Sequence, residues 1–208
     1  MSENTGKKIT IILAILLVIL VAFFFIMYER AKKESMIYTG VTGERYEFQK
    51  KILGGNTTFY YIYLTANGRS YSYPFRYYPK ELEEIPLDVN IKNDLFTKKL
   101  IFATQNVETT NKTQQQSFLG MMEVVRILGM ADEGIYQLAV KSAFIEDYNN
   151  NAIASCGDVG KNTGVIYFKL GEENKIYTDN GCIVIEGKDA EGLMKSSEKF
   201  AYHLLKVF

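Results

Sequence analysis

One uncharged apolar run near the start of the chain constrains its organisation more than any other feature. The run extends from Ile9 to Tyr28 and contains no charged side chain. As an α-helix that rises about 1.5 Å per residue, it would be about 30 Å long, which matches the hydrocarbon thickness of a bilayer. We therefore predict a single-pass transmembrane helix at 9–28, with a short cytoplasmic tail at 1–8 and a juxtamembrane linker at 29–35.

Two kinds of cleavable leader are alternatives to an uncleaved signal-anchor. A secretory signal would also begin with basic residues such as Lys7 and Lys8, but its apolar segment is usually about 7–15 residues long and ends in small residues. This run is longer and ends in the large side chains of Phe23–Tyr28. A pilin-type leader would be cut near Gly6, but lysines follow that glycine and no glutamate occurs early in the run. The pattern favours the anchor.

The orientation of this anchor does not follow from charge, because lysine and arginine are similarly frequent on both sides of the run. Weaker features place the rest of the chain outside the cytoplasm. Both cysteines, Cys156 and Cys182, lie there, and a disulfide would need an oxidising compartment. Glycosylation sequons begin at Asn56 and Asn111, and they are read only on a translocated segment. We expect residues 36–208 to form an extracytoplasmic domain at the cell membrane.

This domain is predicted to be α+β, with a mixed sheet, two packed helices and a C-terminal β-meander followed by a helix. A hairpin with strands at 58–65 and 69–75 is its clearest element, because Asn67 and Gly68 form a turn signal between two β-rich runs. The pairs expected on the apolar face of this hairpin are Leu64 with Tyr71, Ile62 with Tyr73 and Tyr60 with Phe75.

The middle of the domain alternates strand and helix. We predict a buried strand at 98–104, a helix at 115–128 and a strand at 135–140, an order that favours a right-handed crossover and a parallel strand pair. The apolar residues that share one face of this helix are Phe118, Met121, Met122, Val125 and Leu128.

The last part of the domain contains three short β-rich runs, at 165–170, 175–178 and 182–186. Because tight turns join them, they are predicted to form an antiparallel meander. Asp189 is placed to cap a terminal helix. The apolar face of that helix should pack on the sheet.

Clusters of catalytic or metal-binding side chains are not evident. The chain has one histidine, His203, which we predict to lie at the surface, and no Cys-x-x-Cys pair. Ser196 and Lys199 have the Ser-x-x-Lys spacing of penicillin-binding enzymes, but the accompanying motifs are missing and both residues are expected on the exposed side of the terminal helix. We predict no catalytic residue, metal or cofactor, although an envelope enzyme of unrecognised type stays an alternative.

Nucleic acid and nucleotides are not expected partners. Lysine plus arginine and aspartate plus glutamate each number 24, so the chain has no excess of positive charge for phosphates. In addition, no glycine-rich phosphate loop follows a predicted strand.

The two cysteines allow three interpretations. A disulfide between Cys156 and Cys182 would remove about 3.5 kcal/mol of unfolded-state entropy on the chain model. Two free buried thiols, or a redox role, are the alternatives. The sequence favours the disulfide.

Aromatic side chains are dense in and around the hairpin. Tyrosine rings can anchor a protein partner or stack on sugars, because they offer a large area at low entropic cost. Aromatic residues are also common in ordinary strands, so sheet structure alone is the alternative. The residues that we regard as a possible binding surface are Tyr61, Tyr63 and Tyr77.

Several segments resemble a family of membrane-anchored proteins of small-genome archaea. These segments are Arg76–Pro86, Gly164–Tyr167, Gly181–Asp189 and Phe200–Leu205. The resemblance covers most of 70–206 and implies an archaeal membrane protein with a paired-cysteine C-terminal region displayed outside the cell. No activity is attached to this family. The ending at Val184–Leu205 is also similar to archaeal surface-layer proteins.

Together, these features predict a membrane-tethered, non-catalytic domain that contributes to the cell envelope or to a membrane assembly. Its expected partners are the lipid bilayer and another protein. A carbohydrate- or peptide-binding module that uses the tyrosine-rich hairpin is the alternative.

Overall fold

The computed structural model describes residues 12–24, 35–54, 56–106, 111–129, 134–148 and 150–208. It divides into two compact units, Met1–Ser35 and Met36–Phe208. In the first unit, residues 12–24 form a helix, α1, whose side chains are exposed. Within the described parts of the chain, no helix is both long and apolar enough to cross a bilayer. The predicted cytoplasmic tail, both ends of the predicted span and nearly all of the predicted linker lie outside the described residues.

The second unit begins with a four-stranded sheet. Its strands are β1 Ser35–Thr39, β2 Arg45–Leu53, β3 Thr57–Ala66 and β4 Arg69–Phe75, in that spatial order. Asn67 and Gly68 both have positive φ, as a tight turn between twisted strands requires. The resulting register places Ile62 opposite Tyr73 and Tyr60 opposite Phe75, so the predicted hairpin is confirmed.

The second sheet has six strands. They are β5 Leu87–Asp88, β6 Leu100–Gln105, β7 Val140–Phe144, β8 Thr163–Leu170, β9 Lys175–Asp179 and β10 Cys182–Gly187. Their spatial order is β5-β9-β10-β8-β6-β7, and β6 pairs in parallel with both β7 and β8. The predicted order of strand, helix and parallel strand is therefore present, but the second strand of the pair is Val140–Phe144 rather than 135–140. The domain is α+β with two sheets rather than one.

Two predictions about the second sheet were wrong. The last three strands are not a meander, because β10 inserts between β8 and β9 and pairs in parallel with β8. Every residue of β10 is buried, and such a strand is most stable in the middle of a sheet that is covered on both faces. Residues 135–139 are not a strand either, because the amides of Ile135 and Leu138 bond to carbonyls at the end of the preceding helix.

Helices connect and cover the two sheets. They are α2 Ile91–Asp94, α3 Asn111–Leu128 and α4 Ala190–Leu204, with short 3₁₀ turns at Pro79–Leu82 and Cys156–Asp158. The predicted cap of α4 is confirmed, since the Asp189 carboxylate accepts the Gly192 amide at 2.7 Å. The helix contacts both sheets: the ring centroids of Tyr202 and Phe75 are 4.0 Å apart, and Ser196 Oγ donates to the Glu186 carbonyl of β10 at 2.8 Å.

The buried side of α3 differs from the predicted one. Met121, Val125 and Leu128 are buried as expected, but Phe118 is 47% exposed. Its neighbour Ser117 takes the buried position and donates to the side chain of Gln105 at 2.9 Å. The apolar pattern of the sequence did not predict this polar contact.

Candidate functional site

Two of the three predicted tyrosines lie together on the outer face of the first sheet. The rings of Tyr61 and Tyr63 are within 22° of parallel, with centroids 6.4 Å apart. Lys51 of β2 joins them, because its Nζ lies 4.0 Å from the Tyr61 centroid and donates to the Tyr63 hydroxyl at 2.9 Å. Tyr63 is 46% exposed. We call Lys51, Tyr61 and Tyr63 the tyrosine face, in which a cation contacts both rings.

Tyr77 has a different setting. It lies in the segment between β4 and β5, where its carbonyl accepts the Tyr202 hydroxyl at 3.0 Å and its ring lies 5.0 Å from Lys195 Nζ of α4. Burial raises the pKa of Tyr77 to about 12, and the nearby carboxylates of Glu191 and Glu198 add to the shift. Tyr77 therefore serves to pack this connector against α4.

Two adjacent ionisable residues of α4 hold the same connector. The carboxyl group of Glu198, which is fully buried, accepts hydrogen bonds from the main-chain amides of Arg76 and Tyr77 at 2.8 and 2.9 Å. Lys199 Nζ donates to the carbonyls of Leu82 and Glu83, both at 2.9 Å. Burial raises the pKa of Glu198 to about 8 and lowers the pKa of Lys199. We call these two residues the connector clamp.

The predicted exposure of Ser196 and Lys199 was wrong, since both side chains are buried. Their hydrogen bonds also go to different places. Ser196 Oγ donates to the carbonyl of Glu186, whereas Lys199 donates to the connector. Each therefore has a structural partner of its own.

The predicted disulfide between Cys156 and Cys182 is present, with Cα atoms 5.3 Å apart. It joins a 3₁₀ turn to the first residue of β10. Val165 and Val184 pack around it in a small apolar cluster. The disulfide therefore attaches the loop that contains Cys156 to the centre of the second sheet.

The predicted sequons fall at two different places. Asn56 is exposed in the turn between β2 and β3. Asn111 is the first residue of α3, and its side chain lies outside the described part of the structure.

A cavity of about 850 Å³, which the sequence did not predict, opens beside the C-terminal end of α4. One wall is aromatic, because the rings of Phe96 and Tyr136 lie 4.6 Å apart between centroids. The Tyr136 hydroxyl donates to the Leu204 carbonyl and fixes that ring. The lining also includes Asp88 and Asp94. We call this space the α4 cavity.

His203 lines the α4 cavity and is half-buried, rather than lying on the open surface as predicted. Its Nδ1 lies 2.8 Å from the main-chain oxygen of Phe208. Because that oxygen can only accept, Nδ1 carries the proton, and Nε2 of the neutral ring is an acceptor. Burial lowers the pKa of His203 and so favours this neutral form.

Sequence reasoning missed this cavity because its lining comes from distant segments of the chain. Asp88 and Asp94 precede β6, Tyr136 follows α3, and His203 lies in the last turn of α4. The only signal in the sequence was the single histidine near the end of a helix.

The side chains of the α4 cavity do not form a metal centre. Across the described ranges, no three histidine, cysteine, aspartate or glutamate residues are grouped so as to hold a metal ion. The lining of the cavity combines an aromatic pair with hydrogen-bonding side chains. In comparisons with protein-family models, curated proteins and solved structures, the chain matches none of them.

Proposed function

We propose that the chain is a membrane-tethered, extracytoplasmic and non-catalytic domain that contributes to the cell envelope or to a membrane assembly through protein contacts. The tether is supported by the uncharged run from Ile9 to Tyr28. In its described part, 12–24, this run is helical with apolar side chains exposed. The disulfide between Cys156 and Cys182 supports an oxidising compartment for the body of the chain.

The tyrosine face carries the proposal for protein contacts. A partner that binds Tyr61 and Tyr63 loses less side-chain entropy than it would with isolated rings, because Lys51 already contacts both rings. Aromatic residues that are held in this way are typical of interface hot spots. The ammonium of Lys51 would suit a partner surface that presents a carboxylate beside an apolar side chain.

The position of Lys51 also favours a protein over a sugar on this face. A sugar ring stacks flat on an open aromatic surface. Lys51 Nζ lies 4.0 Å above the ring of Tyr61 and covers one side of it. A protein side chain can instead approach the edges of the two rings and the exposed part of Tyr63.

Co-purification from native membranes tests the protein contact. The affinity-tagged full chain should retain one stoichiometric partner, and Tyr61→Ala combined with Tyr63→Ala should release it. Ile153→Ala is the matched control, because it removes a comparably exposed apolar side chain from another part of the domain. Equal retention by the double variant and the control would contradict the proposal.

Attachment and orientation are tested separately on the full chain. Leu16→Arg combined with Val18→Arg should release it from membranes at alkaline pH, because an arginine in the hydrocarbon core costs about 2.5 kcal/mol or more. Protease added to intact cells should cleave the body of the wild-type chain. Complete protection of the body would contradict the extracytoplasmic orientation.

A further inference from the structure

We propose that the α4 cavity binds a neutral, polyhydroxylated ligand of the size of a mono- or disaccharide. This site is separate from the tyrosine face and goes beyond the proposed protein contact. The volume of about 850 Å³ falls within the range of roughly 300–1,000 Å³ that is typical of small-molecule pockets. An adjoining cavity of about 450 Å³ shares Tyr136, Leu204 and Lys206 with it, so a ligand longer than one ring has room to extend.

The aromatic wall matches the apolar face of a pyranose ring. Phe96 is 40% exposed although it packs against Tyr136. Exposing that much phenylalanine inside a concave site costs free energy that a flat apolar ligand face would recover. Tyr136 is held by its bond to the Leu204 carbonyl, so the wall is formed before any ligand arrives.

The polar lining matches the hydroxyl groups of such a ligand. Carboxylates at Asp88 and Asp94 accept hydrogen bonds, and so does Nε2 of the neutral His203. Lys206 supplies a donor at the same cavity. Asp94 is held in place by Thr178, whose hydroxyl donates to it at 3.0 Å. A ligand that must both accept and donate several hydrogen bonds fits this lining.

The lining carries both signs of charge, with two carboxylates and one ammonium, and so opposes an anion more than a cation. An anion would meet the carboxylates of Asp88 and Asp94, and a cation that paired with these carboxylates would also meet the ammonium of Lys206. Because His203 is held neutral by burial, it adds no charge to either side. A neutral ligand avoids both repulsions, and its hydroxyls can still bond to all four side chains.

Saturation-transfer NMR on the full chain tests this site. The chain is kept in a polyoxyethylene detergent, because a maltoside would itself present a sugar and a phosphocholine would present the ions used for comparison. The probes are glucose, mannose, galactose, N-acetylglucosamine and maltose, with tetramethylammonium and inorganic phosphate as ionic comparisons. We expect transfer to the C–H protons of at least one sugar and binding about tenfold weaker in Phe96→Ala, equivalent to about 1.4 kcal/mol.

Matched variants distinguish binding in the α4 cavity from nonspecific binding elsewhere on the chain. Phe118→Ala removes a phenylalanine of similar exposure from α3 and should leave sugar binding unchanged, and Tyr61→Ala should do the same. Asp94→Asn should weaken binding while near-ultraviolet circular dichroism stays that of the folded chain. The proposal is overturned if no sugar shows transfer, if Phe96→Ala and Phe118→Ala behave alike, or if either ionic probe binds more tightly than every sugar.

Discussion

The main-chain amide of Tyr77 donates to the buried carboxylate of Glu198 at 2.9 Å. This bond ties the connector between the two sheets to α4, which contacts both of them. Lys199 completes the clamp from the next position in the chain. Two adjacent ionisable residues that pattern reading would assign to a solvated helix face therefore attach the connector to α4.

Glu198→Gln should change how stability depends on pH. The folded-state pKa of about 8 lies above the ordinary value of 4.5, so the native state binds the extra proton between these two values. Its contribution to stability is complete at low pH and is lost as pH rises through about 8. Wild type should therefore lose melting temperature, relative to Glu198→Gln, between pH 5 and 8.5. Circular dichroism melts check this, and exposed Glu84→Gln should run parallel to wild type.

Lys199→Met should destabilise the domain by about 2 kcal/mol, because it leaves the carbonyls of Leu82 and Glu83 without their donor. For a domain of this size the melting temperature should fall by about 4–8 °C. Lys195→Met is the control, since Lys195 makes a surface ion pair with Glu191 and a contact with the Tyr77 ring. Exposed contacts of this kind contribute little, so the change in stability should stay below about 1 kcal/mol. Equal losses in the two variants would argue against the clamp.

Gly120→Ala should destabilise the chain, although alanine is the better helix former by about 1 kcal/mol. An added Cβ would lie 2.5 Å from Ser197 Oγ and 2.8 Å from Ser197 Cβ, so α3 and α4 would have to move apart. We expect a loss of about 1–3 kcal/mol in denaturant unfolding. Combining the change with Ser197→Gly should restore part of this loss, and a failure to do so would place the strain elsewhere.

Reduction of the disulfide between Cys156 and Cys182 should lower stability by about 3.5 kcal/mol on the chain-entropy model, given the separation of 26 residues. Thermal melts with and without dithiothreitol measure this effect. The double variant Cys156→Ala and Cys182→Ala should melt like the reduced chain and show no response to the reductant. An unchanged melt of the wild-type chain after verified reduction would contradict a stabilising role.

Local patterns predicted the parts of the fold that depend on neighbouring residues. The pairing of Ile62 with Tyr73 followed from the turn at Asn67 and Gly68, because a two-residue turn fixes the register of its strands. The cap at Asp189 was predictable because a capping side chain bonds to an amide only three residues away. The disulfide followed from the cysteine count.

The remaining features depend on contacts between distant segments. The central place of β10 reflects coverage of both its faces, which no window of sequence reveals. The exposure of Phe118 reflects the bond between Ser117 and Gln105 of another element. The α4 cavity was missed because its lining comes from segments that are far apart in the chain. One of the three predicted tyrosines, Tyr77, lies against α4 rather than beside Tyr61 for the same kind of reason.

Photo-crosslinking in intact cells tests the proposed protein contact most directly. A benzophenone amino acid is placed at position 63 of the full chain, on the tyrosine face, and at position 153 as the control. Irradiation should yield one discrete crosslinked species from position 63 and none from position 153, and Lys51→Ala should weaken the first. The same products from both positions, or no product from position 63, would contradict a protein partner at this face.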